Sequence, residues 1–244
     1  MKVLLFGGTG RLSKDFVNLL VDSEVQVFCL TRGSGYRELF VNKKATMLYA
    51  DTRDLIQCKR VLEGHYFDVV IDFISYTSAN IENKLKILDY NFSQYIFISS
   101  ATVYKPSNIA HNENMSEIAN MDWEYSANKV ECENYLSALK RKFERNNAFY
   151  TIVRPYVTYG NTRIPYPIVP LDGTCEYSLV KRILQGQEVV VINQNNEVTI
   201  THAYDFAQGL FGLLNNTRAS FEDFHITCDQ TCKWEDVIDI CGNI

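Results

Sequence analysis

Residues 2–21 place a strand, a tight turn and a helix in immediate succession, and this opening limits what the chain can fold into. Lys2–Phe6 is a short apolar run of β type. Gly7-Gly8-Thr9-Gly10 follows, and then an amphipathic stretch from Arg11 to Val21 with Leu12, Phe16, Leu19 and Leu20 as its apolar positions. The alternation continues. Val25–Leu30, Ala45–Tyr49, Phe67–Ile74, Tyr95–Ser99 and Phe149–Val153 read as strands, and Arg53–Leu62, Asn80–Leu88 and Glu124–Arg145 as helices. Phe67–Ile74 is apolar throughout except for Asp68 and Asp72, as in a strand covered on both faces. Strands separated by helices imply βαβ units, hence an α/β fold with a doubly wound parallel sheet of Rossmann type.

The pattern changes after Arg154. Four of the five prolines, Pro155, Pro165, Pro167 and Pro170, lie in the next stretch. Beyond it a helix is expected over Glu176–Leu184, strands over Val189–Ile192 and Val198–Ile200, and a helix over Phe206–Leu214. Phe224–Thr227 and Trp234–Cys241 are the last structured segments. The expected organisation is a nucleotide-binding core over residues 1–155 and a smaller substrate-covering region over 156–244, interleaved with the core.

Composition narrows the function classes. The chain has 244 residues, 24 Lys and Arg against 29 Asp and Glu, and a net charge of −5. A net negative protein does not attract a phosphate backbone over its whole surface, so nucleic acid is not the expected partner. No apolar run approaches the ~20 residues that span a bilayer, so no membrane is expected. The N-terminus has no signal-peptide layout, and the seven scattered Cys read as reduced thiols, which places the expected location in the cytoplasm. No metal site is expected, because the spacing of Cys228, Cys232 and Cys241 with His225 is not that of a zinc ribbon or finger.

Two constellations carry chemistry. The first is the glycine-rich turn. A tight strand-to-helix turn that must approach a pyrophosphate excludes side chains at Gly7 and Gly10, and the helix N-terminus beyond supplies N–H donors. Gly7, Thr9, Gly10, Arg11 and Leu12 are therefore the candidate phosphate-side residues, with Ser13 as the third small position. The end of the second strand, Leu30-Thr31-Arg32-Gly33, offers no acid for a ribose 2′-hydroxyl. Arg32 could pair with a 2′-phosphate, which favours NADP over NAD. Asp51-Thr52 after the third strand could accept from an adenine amino group or cap the next helix.

The second constellation is Tyr125-Ser126-Ala127-Asn128-Lys129. On a helix, Tyr125 and Lys129 share a face. A neighbouring ammonium is expected to lower the phenol pKa, so that Tyr125 can exchange a proton with a carbinol or ketone. Upstream, Ser99-Ser100-Ala101-Thr102-Val103-Tyr104 ends the fifth strand, at the sheet edge where such folds bind ligands. Tyr76, Tyr104, Tyr156 and Tyr159 are expected at strand ends facing that cleft.

Taken in order, Gly7 to Gly10, Asp51, Ser99 to Tyr104, Tyr125 to Lys129, Arg154 to Gly160 and His202 to Asp205 resemble the extended short-chain dehydrogenase/reductases of the NAD-dependent epimerase/dehydratase family. The resemblance implies that Tyr125 is the general acid/base. It implies that Lys129 holds the nicotinamide ribose and that Ser100 hydrogen-bonds the reacting oxygen. The segment Pro155–Val157 would pass beside the nicotinamide, with Phe73, Ile74 and Ser99 close to the cofactor. Tyr76, Thr102 and Tyr156 are candidate substrate contacts. The implied activity is hydride transfer at a carbinol or ketone carbon of a sugar or a nucleotide-sugar-like molecule, and the resemblance suggests a homodimer built from the helices near 80–90 and 124–145. The alternative is a non-catalytic NAD(P)- or RNA-binding scaffold.

The departures are specific. Ala101-Thr102 stands where 4,6-dehydratases carry an Asp-Glu pair, so that reaction is disfavoured. Asp72-Phe73-Ile74-Ser75 replaces a His-x-Ala-Ala type of loop. Val198 stands where nucleoside-diphosphate-sugar enzymes have an Arg.

Overall fold

The computed structural model describes residues 1–10, 12–33, 42–105, 107, 109–114, 121–160, 164, 178–190 and 197–243. Arg11, residues 165–177 with their three prolines, Cys175 and 191–192 of the expected strand lie outside the described residues.

The chain runs β1 (Lys2–Phe6), α1 (Ser13–Asp22), β2 (Gln26–Thr31), β3 (Thr46–Tyr49), α2 (Leu55–Leu62), β4 (Phe67–Asp72), α3 (Ser78–Leu88) and β5 (Phe92–Ile98). It continues through α4 (Glu124–Ala138), α5 (Lys140–Arg145), β6 (Phe149–Arg154), β7 (Val157–Tyr159), α6 (Ser178–Leu184) and β8 (Val198–His202). The last elements are α7 (Ala203–Gly212), β9 (Asp223–His225), β10 (Thr231–Cys232) and α8 (Trp234–Gly242). Seven strands form one sheet in the order β3-β2-β1-β4-β5-β6-β9. Every pairing in it is parallel. The strand order reverses between β1 and β4, so the crevice of a doubly wound sheet opens at their carboxyl ends.

Both faces of the sheet are covered. One core joins Leu4, Phe6, Val70, Tyr95 and Phe97 to α2, α3 and α4, with Phe143 of α5 fully buried among Phe92, Tyr95 and Tyr150. The other packs Val3, Leu5, Val69 and Ile71 against Phe16, Val17 and Leu20 of α1 and Phe206, Ala207 and Leu210 of α7. β8 pairs parallel with β7 and antiparallel with β10, and this small sheet shares its own core with Leu179 and Trp234. β9 lies in the main sheet as the neighbour of β6.

The helix expected over 124–145 is two helices. Leu139, at φ −90° and ψ 0°, separates α4 from α5. The N–H of Leu139 reaches the carbonyl of Leu136, a tighter turn than the α-helix makes. The break lets Phe143 turn into the aromatic core while the solvent face stays basic. Residues 189–190 of the expected strand are not in a strand, and β7 and β10 were not anticipated.

Candidate active site

The glycine-rich turn sits at the reversal point, closed from inside. Gly7 has φ +88°, and a Cβ there would lie 2.4 Å from Ile74 Cγ2, so β1 and the loop after β4 meet with no room for a side chain. A Cβ on Gly8 would lie 2.5 Å from Cys29 Sγ, a close-packing role that spacing alone did not assign to that residue. Ser13 is buried and donates to the Gly7 carbonyl at 2.7 Å, while Gly10 N–H donates to Ser13 Oγ at 3.0 Å and to Gly7 O at 3.1 Å. A third glycine could not make these bonds. Thr9 and Gly10 are half-buried, and Leu12 is the helix-cap residue, packed on the α1 core. This turn fits the phosphate side of a dinucleotide: Gly7 and Gly10 bring no side chain to it, and it opens a helix at the crevice.

Arg32 follows β2 and is exposed. Asp51 follows β3 and takes a bidentate guanidinium from Arg53, with Nη2 at 2.6 Å from Oδ2. That pairing, aided by the Arg53 N–H and by Arg32, holds its carboxyl down at about 2. The helix-capping role weighed for Asp51 belongs to Asp54, whose carboxylate accepts from Ile56 N and Gln57 N. Thr52 lies in the intervening turn, half-buried.

Beyond the crevice, Ser99, Ser100, Tyr125 and Lys129 come together where β5 ends. Ser100 Oγ accepts from Thr102 N at 3.2 Å and from Thr102 Oγ1 at 3.0 Å, which leaves its own proton to donate. Lys129 is buried. Its Nζ donates to the carbonyls of Ser75 at 2.8 Å and Ile98 at 2.9 Å, and lies 5.8 Å from the centre of the Tyr125 ring. Burial pulls its pKa down to about 8, against the opposing pull of the Asp72 carboxylate. Tyr125 does not behave as expected. Burial raises its pKa, hydrogen bonding with Ser100 opposes the rise, and Tyr76 and Cys132 add to it. Lys129 is aimed at backbone carbonyls, so the phenol rests in its protonated form.

Two buried networks hold these groups in place, and neither was anticipated. Asp72, fully buried at the end of β4, accepts from Ile74 N and Ser75 N at 3.0 Å each and from Tyr95 Oη at 2.5 Å, with Lys84 Nζ 3.3 Å away. Burial pushes its carboxyl up, but Lys84 and the hydrogen bonds outweigh that and leave it below the usual range. Lys84 also donates to Ser75 Oγ at 2.5 Å, so the residue whose carbonyl receives Lys129 is pinned from its other side. In the second network Ser99 donates to Glu133 Oε1 at 2.5 Å, and Arg154 pairs with Glu133 Oε2 at 2.7 Å, with Tyr104 Oη at 2.5 Å and with Asp223. Tyr104 is therefore a buried strut and does not face the cleft.

The remaining candidates are placed as follows. Pro155 is buried and its carbonyl accepts from Ala101 N at 2.9 Å, tying the ends of β5 and β6 together. Phe73 packs on Phe16, with ring centres 6.5 Å apart, and Ile74 lies against Gly7. Tyr76 stands 6.0 Å from the Tyr125 ring, and Tyr156 is exposed. His202 caps α7 by accepting from Tyr204 N. Among the described residues no three His, Cys, Asp or Glu side chains form a group that could hold a metal. No helix among them is long and apolar enough to cross a membrane.

The order of strands, the glycine turn and the Ser–Tyr–Lys cluster define an extended short-chain dehydrogenase/reductase. The NAD dependent epimerase/dehydratase family matches residues 3–227, and the chain belongs to that family. A curated relative, the chloroplast stem-loop binding protein of 41 kDa b of Arabidopsis thaliana, is 26% identical over 254 residues, covering 99% of this chain and 62% of its own length. The chain thus spans less than two thirds of that relative. Among solved structures, a UDP-glucose 4-epimerase superposes with a TM-score of 0.80 at 17% identity, over 98% of this chain and 80% of its own. The UDP-glucuronic acid 4-epimerase of Bacillus cereus in complex with NAD gives 0.80 at 18%, over 100% and 83%. These structures share the fold.

Proposed function

We propose that the chain is an NAD(P)-dependent epimerase or reductase acting at a carbinol or ketone carbon of a sugar-related substrate. The observation that carries this reading is the convergence of Ser100, Tyr125 and Lys129 at the end of β5, beside the glycine turn. Gly7, Thr9, Gly10 and Leu12 would bracket the pyrophosphate, with Arg32 and Asp51 near the adenosine end and Lys129, Ser99 and Pro155 near the nicotinamide end. The cofactor supplies a hydride acceptor or donor when bound.

The chain's own residues handle the proton and the geometry. Ser100 has a proton to give, so it can hydrogen-bond the substrate oxygen. Tyr125, protonated at rest, is poised to protonate a developing alkoxide and to take the proton back in the reverse direction. Lys129 places a positive charge beneath the phenol without drawing off its proton. Tyr125→Phe is expected to lower turnover by about 10²–10⁴-fold while leaving NAD(P)H affinity within about twofold of wild type, since the ring stays in place. Turnover that survives this substitution would remove Tyr125 from the role.

NADP is favoured over NAD because Arg32 is exposed at the end of β2 and no acid stands among Leu30-Thr31-Arg32-Gly33. A second reading takes its support from the stem-loop-binding relative: a scaffold that binds RNA without turnover. Filter binding with a hairpin RNA at low and high salt separates the two. Salt-sensitive retention together with no nicotinamide binding would favour the scaffold.

A further inference from the structure

The residue before α4 is Trp123, and it is 56% exposed. Its ring centre is 4.9 Å from that of Tyr125. Tyr76, 52% exposed, is a second aromatic neighbour of Tyr125, with ring centres 6.0 Å apart. Two part-exposed rings are thus neighbours of the ring that carries the proton-transfer hydroxyl, and the three make up one aromatic wall. Burying an aromatic ring is worth more than burying most side chains, so two such rings left half in water beside a reacting group are a binding surface awaiting an occupant.

The wall is built to keep its shape. Tyr76 is held by the cap of α3: Asn80 Oδ1 accepts from Tyr76 N at 3.1 Å and Thr77 N at 3.3 Å, while Thr77 Oγ1 accepts from Asn80 N at 3.3 Å. Ser78 donates to Glu131 of α4, which fixes α3 against the helix that carries Tyr125. Trp123 and Tyr125 are linked by the first turn of α4, where Ala127 N donates to the Trp123 carbonyl at 2.9 Å. Lys129 Nζ lies 5.0 Å from the centre of the Tyr76 ring and backs the wall from inside.

Charge narrows the occupant. Trp123 is followed by Glu124, an exposed carboxylate in the first turn of α4. A diphosphate brought to this edge would meet like charge, whereas an uncharged ring would not. A pyranose presents a flat face of C–H groups to an aromatic ring and its hydroxyls to the opposite side. Stacked on Trp123, it would turn a ring carbinol towards Tyr125 and Ser100.

We propose that Trp123 and Tyr76 form the substrate-stacking wall of this site and that the substrate is an uncharged sugar ring, engaged without a nucleoside diphosphate handle. This rests on the NAD(P)-dependent reading above. The two are told apart by titrating the protein with NAD(P)H first: no nicotinamide binding defeats that reading, whereas binding lets the wall be tested alone.

The test uses the full chain loaded with NADPH or NADH, whichever binds. Acrylamide quenching of tryptophan emission is measured with D-glucose, D-galactose or D-mannose at millimolar levels, with UDP, and with a hairpin RNA. Trp234, the other tryptophan, is 9% exposed in a separate core, so the quenching that disappears in Trp123→Phe is assigned to Trp123. The expected result is shielding of Trp123 by at least one neutral sugar and none by UDP. Calorimetry should show the affinity for that sugar falling about tenfold in Trp123→Ala and largely restored in Trp123→Phe. Shielding by UDP would overturn the substrate class, shielding by the hairpin would make the wall a base-stacking platform, and no shielding by any probe would overturn the proposal.

Discussion

At the scale of single residues, the site turns on what burial does to Tyr125 and Lys129. The phenol is pushed up and the ammonium is pulled down to about 8. A lysine whose pKa is lower folded than unfolded destabilises the native state wherever it must be charged. That cost is complete below about pH 8 and fades as pH rises towards the unfolded value of about 10.4. In the folded protein the charge beneath Tyr125 is lost as pH passes through about 8, so turnover should fall on the alkaline side with an apparent pKa near 8. A pH–rate profile for kcat checks this, and a plateau extending to pH 10 would contradict it. The pair itself is legible in the chain, because a Tyr-x-x-x-Lys spacing puts both groups on one helical face. The destination of the lysine is not legible, since its acceptors are the carbonyls of Ser75 and Ile98 on two other elements. Burial of the phenol, with the lysine turned to those acceptors, is why the expected fall in the Tyr125 pKa is a rise.

At the scale of elements, the Asp72–Lys84 pair joins β4 to α3 behind the site. Both side chains are at most 3% exposed. Removing one partner leaves an uncompensated buried charge, so Asp72→Asn should cost about 3–5 kcal/mol in urea unfolding. Asp72→Asn with Lys84→Met should recover most of that loss. Because the Asp72 pKa is lowered in the fold, its contribution is complete above the unfolded value of about 3.9 and is lost as pH falls through the lower folded value. At the other end of the sheet, Asp54→Ala removes two hydrogen bonds from the start of α2 and should cost about 1 kcal/mol. A trace of the buried pair is present in the chain: Asp72 interrupts an apolar strand, and Lys84 lies on the α3 face with Ile81, Leu85 and Leu88. Their meeting depends on the register of β4 against the helix, which periodicity does not encode. The break at Leu139 was hidden for a similar reason. Lys140 to Arg145 continue a helical pattern, and only the aromatic core that receives Phe143 shows why the chain must turn.

At the scale of the whole molecule, the alternation of strands and helices and the order of the motifs made the parallel sheet and its crevice readable. The closing arrangement was less so, because β7 and β10 have three and two residues and form only against β8. A homodimer through α3 and α4 remains an expectation, and its surface would carry Glu131, Asn134 and the Glu82–Lys86 ion pair. Sedimentation at low and high salt would read it as a two-chain mass that weakens as salt rises. On the proposed function, a nicotinamide dinucleotide lies across the carboxyl edge of this sheet. Fluorescence titration of the purified chain with NADPH and with NADH tests it most directly. Saturable binding is expected, with NADPH the tighter, and a reversal of that preference in Arg32→Asp. Binding of neither nucleotide would contradict it.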